Sequence, residues 1–85
     1  MSAESRTVAL AFGATLRAAR KKQGVSQDRL AALCGFDRTY PSLMERGLRQ
    51  PSLHMLLRLA NAVVTAPEQL VADTLARLEK EVQQP

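Results

Sequence analysis

The sequence predicts an all-α protein made of five helices. Apolar residues make up 46% of the 85 residues and aromatic residues only 4%, and Ala and Leu supply most of the apolar fraction. Ala and Leu are strong helix formers, whereas sheets favour β-branched and aromatic residues. Apolar residues also recur at spacings of three and four between Gly, Pro, Ser and Thr, as amphipathic helices require. The length fits one domain, residues 1–85.

The first two helices are predicted from their ends. Helix 1 is expected over about residues 6–23, and Gly24 can adopt the left-handed conformation that closes a helix. The hydroxyl of Ser26 can cap the free amides of helix 2, which is only two turns long and ends at Gly35.

Helix 3 contains a proline near its start. Asp37 is its predicted N-cap, and the helix is expected over about residues 38–46. Pro41 is then the fourth helical residue, where its missing amide costs one hydrogen bond and opens or tightens the first turn.

Helices 4 and 5 follow two further capping signals. Ser52 introduces helix 4, and Thr65 with Glu68 has the spacing of a capping box at the start of helix 5. Helix 5 is expected over about residues 67–82, so that the ordered helices cover residues 6–82 and both chain ends fray.

Charge is distributed unevenly along the chain. Residues 1–58 hold ten Lys and Arg against four acids, and residues 59–85 hold two against four, which together give the net charge of +4. A basic front indicates a surface for a polyanion, and the acidic tail indicates a separate element such as one for self-association. The alternative is a solvated basic surface that binds no partner.

Several classes of site and protein are excluded by composition. Cys34 cannot form an internal disulfide, and with the single histidine, His54, it cannot supply the ligands of a zinc site. No Cys–His, Ser–His or paired-carboxylate arrangement indicates an enzyme. No stretch approaches the roughly 20 apolar residues that span a membrane. We therefore expect a cytoplasmic protein that needs no metal and no cofactor.

Helices 2 and 3 have the layout of a helix-turn-helix, in which a tight glycine turn holds the second helix out to enter the major groove. After Gln27, the small residue Ala31 lets the two helices cross closely, and Gly35 turns the chain. The predicted buried positions of the unit are Leu30, Cys34, Pro41 and Met44.

Three segments carry a family resemblance, and they read FGATLRAARKKQGVSQDRLAALCG, FDRTYPSLMERG and PSLHMLLRLANAV. Over residues 12–70 they resemble the phage-repressor-like helix-turn-helix family of the Cro/C1 (XRE) type. The resemblance implies a compact five-helix, lambda-repressor-like DNA-binding domain. On so short a chain, DRTY and ERG look most like controller proteins of restriction-modification systems. Val64 departs from the family's glycine after helix 4, so this corner is expected to close without that cap.

The resemblance also implies which residues contact DNA. Base edges in the major groove are expected to face Arg38, Thr39, Tyr40, Ser42 and Leu43. Phosphates are expected to be contacted by Ser26, Gln27, Arg46, Arg49, Gln50 and His54. Arg38 suits a guanine, and Thr39 can meet a thymine methyl group. Tyr40 could instead pack its ring on the domain, and His54 could simply be exposed on helix 4.

Two further interactions are expected. By the resemblance, Arg20 and Glu45 form an ion pair, at least partly buried, that fixes helix 3 against helix 1. By spacing, helix 5 carries an apolar stripe that is longer than the core needs, whereas Leu70 faces inward. The stripe consists of Val71, Leu75, Leu78 and Val82. It predicts a dimer interface, and the alternative is that it only caps the monomer.

The sequence therefore predicts a transcriptional regulator that binds specific double-stranded DNA as a homodimer on a palindromic operator, without a cofactor. Repression by blocking RNA polymerase and activation by contacting RNA polymerase both stay open. The alternative function is an antitoxin-type interaction module, which binds a small protein partner and uses its helix-turn-helix for autoregulation.

Overall fold

The computed structural model describes residues 1–83 and the side chains of residues 1–80. Over residues 1–83 the chain forms five helices and no strand, which confirms the predicted all-α class. The helices are α1 (Ala3–Lys22), α2 (Gln27–Cys34), α3 (Tyr40–Glu45), α4 (Leu53–Ala62) and α5 (Pro67–Gln83). In this part of the chain, every helix is too short or too polar to cross a membrane.

The beginning of α1 is more ordered than predicted. The helix starts at Ala3 rather than near residue 6, because the Ser2 hydroxyl accepts a hydrogen bond from the Ser5 amide at 3.1 Å. The Gln50 side-chain amide also donates to the Ser5 carbonyl at 2.9 Å and to the Ser5 hydroxyl at 2.8 Å. A cap and a tertiary contact therefore hold a segment that was expected to fray.

Both predicted ends of α2 and the predicted start of α4 are present. The Ser26 hydroxyl accepts from the Arg29 amide at 3.0 Å, and the Ser52 hydroxyl accepts from the Met55 amide at 3.1 Å. Gly35 has φ 69°, the left-handed conformation that closes α2. Serine is favoured at the N-cap, where its hydroxyl accepts from a free amide, and glycine is favoured at the left-handed position that follows a helix.

The start of α5 differs from the predicted capping box. The Thr65 hydroxyl donates to the Val63 carbonyl at 3.1 Å, so it is turned toward the end of α4. Ala66 precedes the helix instead, and its carbonyl accepts from the Leu70 amide at 3.2 Å. Pro67 fits the first helical position, since its fixed φ suits a helix and an amide there has no intrahelical partner.

The start of α3 also differs, since the helix begins at Tyr40, two residues later than the predicted range 38–46. The Tyr40 amide donates to the Asp37 carbonyl at 3.0 Å, the three-residue step of a tight turn. The Asp37 carboxylate accepts from the Thr39 amide at 2.9 Å and from the Thr39 hydroxyl at 2.7 Å. Arg38 and Thr39 thus form a turn in front of α3 and are not in an extended loop.

Pro41 explains the shorter helix. In the predicted helix the amide of residue 41 would have bonded the Asp37 carbonyl, but proline has no amide hydrogen, and the Tyr40 amide takes that carbonyl. Pro41 is therefore the second residue of α3, where no intrahelical bond is lost, and the predicted loss of one bond is wrong. Its ring is fully buried, as predicted.

The core lies at the centre of the five helices. α1 packs on α3 and α5, α2 packs on α3 and α4, and α4 packs on α5. The buried apolar cluster consists of Phe12, Leu16, Leu30, Cys34, Met44, Leu59, Ala60, Val63 and Leu70. Burial raises the pKa of the Cys34 thiol, so this cysteine behaves as a small apolar core residue.

Gly13 allows the close crossing of α1 and α3. A β-carbon built at Gly13 would lie 2.8 Å from the Glu45 carbonyl oxygen and closer still to that of Met44. Real β-carbons essentially never approach other atoms this closely. Only glycine therefore lets α1 rest directly on the end of α3, whose other end carries the predicted base-contacting turn.

The corner between α4 and α5 closes with a strained valine. Val64 has φ 52°, so the corner adopts the left-handed cap with valine in the place of glycine. The expectation that this corner closes without that cap is therefore wrong. The left-handed conformation costs a residue with a β-carbon about 1–2 kcal/mol, and a β-branched side chain is rarely found there. The side chain is 74% exposed, so burial in the monomer offsets little of this cost.

Val64→Gly is expected to increase the free energy of unfolding by about 1 kcal/mol. The substitution relieves strain of roughly 1–2 kcal/mol, and the added freedom of the unfolded chain reduces that gain by about 0.4–1 kcal/mol. Urea denaturation measures the difference. Val64→Ala is the control, since alanine keeps the β-carbon that causes most of the strain. Equal stability of the Gly and Ala variants contradicts this account.

Candidate nucleic-acid interface

A charged pair fixes α3 against the body of the domain. Arg20 Nε donates to Glu45 Oε2 at 2.6 Å, and Arg20 Nη2 donates to Glu45 Oε1 at 2.9 Å, which makes the contact bidentate. The two side chains are only 12% and 4% exposed. Arg20 Nη1 also donates to the Val25 carbonyl at 2.9 Å. The structure thus brings together the pair that the family resemblance implied.

The hydrogen bonds of this pair affect its electrostatics. Those from Arg20 to Glu45 raise the pKa of Arg20 above its ordinary value, against the opposing effect of burial. Arg20 is therefore charged throughout the neutral pH range. Bidentate contact between charged groups is strong and geometrically specific, so it sets the position of α3 as well as its stability.

The two predicted phosphate contacts at the start of α2 also make contacts within the protein. Gln27 Nε2 donates to Glu45 Oε1 at 3.2 Å, which joins Gln27 to the charged pair. Within residues 1–80 the second N–H of this amide makes no hydrogen bond. The Ser26 hydroxyl accepts from the Arg29 amide as the cap of α2. Both residues therefore lie at the positive end of the α2 dipole, where phosphate binding is favourable.

The turn in front of α3 presents the first two predicted base-contacting residues. Arg38 is highly exposed, and its Nε donates to Asp28 Oδ1 at 3.3 Å. Thr39 is exposed and held by Asp37. The two hydrogen bonds from Thr39, with its hydroxyl the larger contribution, lower the pKa of Asp37. The stabilisation of this turn is thus present at neutral pH and lost as the pH falls through the lowered pKa.

The other predicted base contacts are less exposed. The Tyr40 ring lies 5.6 Å from the Phe36 ring, between centroids, and both pack against the core. This is the packing role that the sequence left open for Tyr40. Ser42 and Leu43 are half-buried on α3. Arg38 and Thr39 are therefore the most accessible of the five.

The predicted phosphate contacts after α3 divide into two groups. Arg46, Arg49 and His54 are exposed, and Arg46 Nε lies 3.4 Å from the Ser42 carbonyl. Gln50 instead turns toward α1, where it bonds Ser5. Its side chain is thus already engaged within the protein, whereas the three basic side chains remain accessible.

Several contacts of the site were missed by reasoning from the sequence. They are the bonds of Gln27 to Glu45, of Arg38 to Asp28 and of Gln50 to Ser5. A further one joins Arg58 Nη1 to the Cys34 carbonyl at 2.8 Å, at the end of α2. The partners are 10 to 45 residues apart, and no periodic pattern connects them.

The predicted stripe on α5 is partly exposed. Val71 is 46% and Leu75 is 53% exposed, Leu78 is half-buried, and Val82 lies outside the described side chains. Leu70 faces the core, as predicted. The stripe borders an apolar groove of about 320 Å³, which is also lined by Val8, Phe12, Gln50, Pro51, Leu56 and Thr74. Among the described residues, no group of three or more His, Cys, Asp or Glu could hold a metal ion.

Known proteins are similar to this chain in sequence and in fold. Residues 11–74 match the family model described as "Helix-turn-helix domain". The control protein C.BamHI of Bacillus amyloliquefaciens is 37% identical over 65 residues, which are 75% of this chain and 80% of that protein. The uncharacterized HTH-type transcriptional regulator y4dJ of Sinorhizobium fredii is 34% identical over 62 residues, 73% of this chain and 80% of that protein.

Two solved structures extend the comparison. The restriction-modification controller protein C.AhdI of Aeromonas hydrophila is 44% identical with a TM-score of 0.70, covering 73% of this chain and 94% of that one. The clp gene regulator ClgR of Corynebacterium glutamicum is 25% identical with a TM-score of 0.82, covering 89% and 82%. The chain therefore belongs to the phage-repressor-like helix-turn-helix family that its sequence resembles, and it is a DNA-binding transcriptional regulator.

Proposed function

We propose that this regulator acts in the cytoplasm and binds a specific palindromic operator as a homodimer, with the front of α3 in the major groove. One observation carries the proposal. The exposed turn of Arg38 and Thr39 lies at the start of a helix that is fixed to the body by the largely buried Arg20–Glu45 pair. An exposed arginine on a rigid support is well suited to read a base edge, because the support fixes its register.

Base reading and backbone binding fall to different residues in this proposal. Arg38 contacts a guanine and Thr39 a neighbouring base. Arg46, Arg49 and His54, together with the start of α2, contact phosphates and position the domain without reading sequence. The concentration of positive charge in residues 1–58 supports this division, since phosphate neutralisation supplies most of the affinity that does not depend on sequence.

Arg38→Ala is expected to relax the preference for one base pair in each half-site and to cost about 1–3 kcal/mol of binding free energy on the preferred operator. The operator is first selected with the wild-type protein from a random duplex library. Fluorescence anisotropy then measures affinity for a panel of single-base variants at two salt concentrations.

Arg49→Ala is the matched control for that measurement. It should weaken binding to all operators alike. It should also reduce the slope of log affinity against log salt concentration by about one, because one phosphate contact is lost. It is a cleaner control than Gln27→Ala, because Gln27 also supports Glu45. Equal loss on every operator from both substitutions would show that Arg38 does not read a base. A failure to select any sequence would overturn the proposed specificity itself.

The α5 stripe supports the proposed dimer. Val71 and Leu75 are about half exposed beside an apolar groove, although apolar side chains of this size gain from burial. A two-fold pair with identical faces repeats the same contact twice, so one exposed stripe serves both subunits. Such a dimer would place its recognition helices about 34 Å apart, one turn of DNA.

Leu75→Glu is expected to convert the dimer to a monomer, because it places an unpaired charge in an apolar interface. Ala76→Glu adds the same charge at the neighbouring exposed position and should leave the dimer intact. Sedimentation equilibrium at tens of micromolar distinguishes the two species. A monomeric wild-type protein, or a dimeric Leu75→Glu variant, contradicts the proposed interface.

The likeness to C.BamHI and C.AhdI supports a controller protein of a restriction-modification system as the biological setting. Binding to DNA upstream of the chain's own gene tests that setting. A footprint that overlaps the promoter favours repression by exclusion of RNA polymerase, and a footprint just upstream of the promoter favours activation.

A further inference from the structure

Asp28 contacts the proposed base-reading arginine. Asp28 is the second residue of α2, and its Oδ1 lies 3.3 Å from Arg38 Nε. The two side chains are 65% and 82% exposed. Exposed ion pairs contribute little to folding stability, so this contact does not serve to hold α2 and α3 together. The largely buried Arg20–Glu45 pair already fixes α3.

The contact engages one particular edge of the guanidinium group. Arginine carries one N–H on Nε and two on each terminal nitrogen. Asp28 takes the Nε hydrogen, and among the described residues the terminal nitrogens of Arg38 donate no hydrogen bond. Recognition of guanine needs two parallel donors directed at O6 and N7. The two terminal nitrogens remain available for that purpose.

We infer that Asp28 is a positioning residue for sequence specificity, which holds Arg38 by Nε so that its terminal nitrogens meet one guanine. The inference rests on the proposed role of Arg38 in base reading. An arginine held in this way loses less rotamer freedom on binding, and a base that offers only one acceptor cannot satisfy both fixed donors. Asp28 thereby sharpens discrimination without touching DNA.

If Asp28 acts only by repelling DNA phosphates, its removal has a different effect from the one that the inference predicts. A carboxylate beside the DNA repels phosphates, so its removal would strengthen binding to every sequence alike. Under the inference, Asp28→Ala reduces the preference for the guanine operator over its substituted variant by about fivefold or more, part of the discrimination that one bidentate pair supplies. Asp28→Asn keeps an acceptor for Nε and should restore most of that preference.

The experiment measures anisotropy for wild type, Asp28→Ala, Asp28→Asn, Arg38→Ala and the double Ala variant on both operators. Asp28→Ala should have no effect on the preference once Arg38 is alanine, because its effect passes through Arg38. Thermal unfolding should change only slightly with either Asp28 substitution, because the pair is exposed and Asp28 otherwise contributes only its charge in the first turn of α2. Both Asp28 variants therefore remain informative about binding.

The outcomes separate the inference from the function on which it rests. Stronger binding of Asp28→Ala to both operators by the same factor overturns the inference. Loss of preference in Arg38→Ala but not in Asp28→Ala overturns the inference alone and leaves the base-reading role intact. Unchanged preference in Arg38→Ala overturns that role and the inference together.

Discussion

Glu45→Ala is expected to lower the free energy of unfolding by about 3–5 kcal/mol, because it strands the charge of Arg20 in a site that is only 12% exposed. Arg20 would keep its bond to the Val25 carbonyl but lose both bonds to the carboxylate. Gln27 would lose its partner as well. Urea denaturation measures the loss, provided that the dependence of the unfolding free energy on urea concentration is unchanged.

A double substitution shows that the loss comes from the stranded charge. Arg20→Met with Glu45→Leu replaces the pair by apolar side chains and should cost far less than the single change. Asp28→Ala, which breaks the exposed pair with Arg38, should change stability by less than about 1 kcal/mol. If the single and double variants are equally unstable, packing rather than charge explains the role of Glu45.

Gly13→Ala is expected to destabilise the protein by about 2 kcal/mol. Overpacking costs up to about 3 kcal/mol, and the higher helix propensity of alanine returns roughly 1 kcal/mol. The clash is with the backbone carbonyls of Met44 and Glu45, which cannot rotate away as a side chain could. Thermal unfolding measures the effect, and DNA binding should weaken because the carboxyl end of α3 is pushed outward.

The exposed neighbour Ala14 is the matched control. Ala14→Gly should cost about 1 kcal/mol through helix propensity alone. At position 13 replacing glycine by alanine lowers stability, and at position 14 replacing alanine by glycine lowers it. Two adjacent positions of α1 thus have opposite preferences. A stabilising effect of Gly13→Ala would contradict the close crossing of α1 and α3.

Local chemistry made most of the fold predictable. Ser26, Gly35 and Ser52 occupy positions that favour their residue types, and the structure places them there. The errors lie where two local signals compete. At the start of α3, the Asp37 carboxylate favoured a helix from residue 38, whereas the lack of an amide hydrogen on Pro41 favoured a later start. The later start, at Tyr40, is the one found. The Thr65 hydroxyl could cap α5 or bond the end of α4, and it donates to the Val63 carbonyl.

The candidate site was less predictable from residues alone. The Arg20–Glu45 pair came from a family resemblance, since a separation of 25 residues carries no spacing signal. The bonds of Gln27 to Glu45 and of Arg38 to Asp28 depend on how two helices cross and on side-chain rotamers. Both are set by the packed core, so they become visible only when the helices are placed in three dimensions.

Gln50 lies between the predicted phosphate-binding loop and the groove beside the α5 stripe. It follows Arg49 in the loop predicted to grip phosphates, it bonds Ser5 of α1, and it lines the groove beside the α5 stripe. In the proposed dimer, a second subunit at that groove would contact Gln50 beside the loop, and any effect of subunit pairing on the affinity of the loop for DNA would act equally in reverse. If pairing strengthens DNA binding, occupancy of the operator would rise more steeply than in proportion to protein concentration. Transcription under this proposal would change over a narrow range of protein concentration.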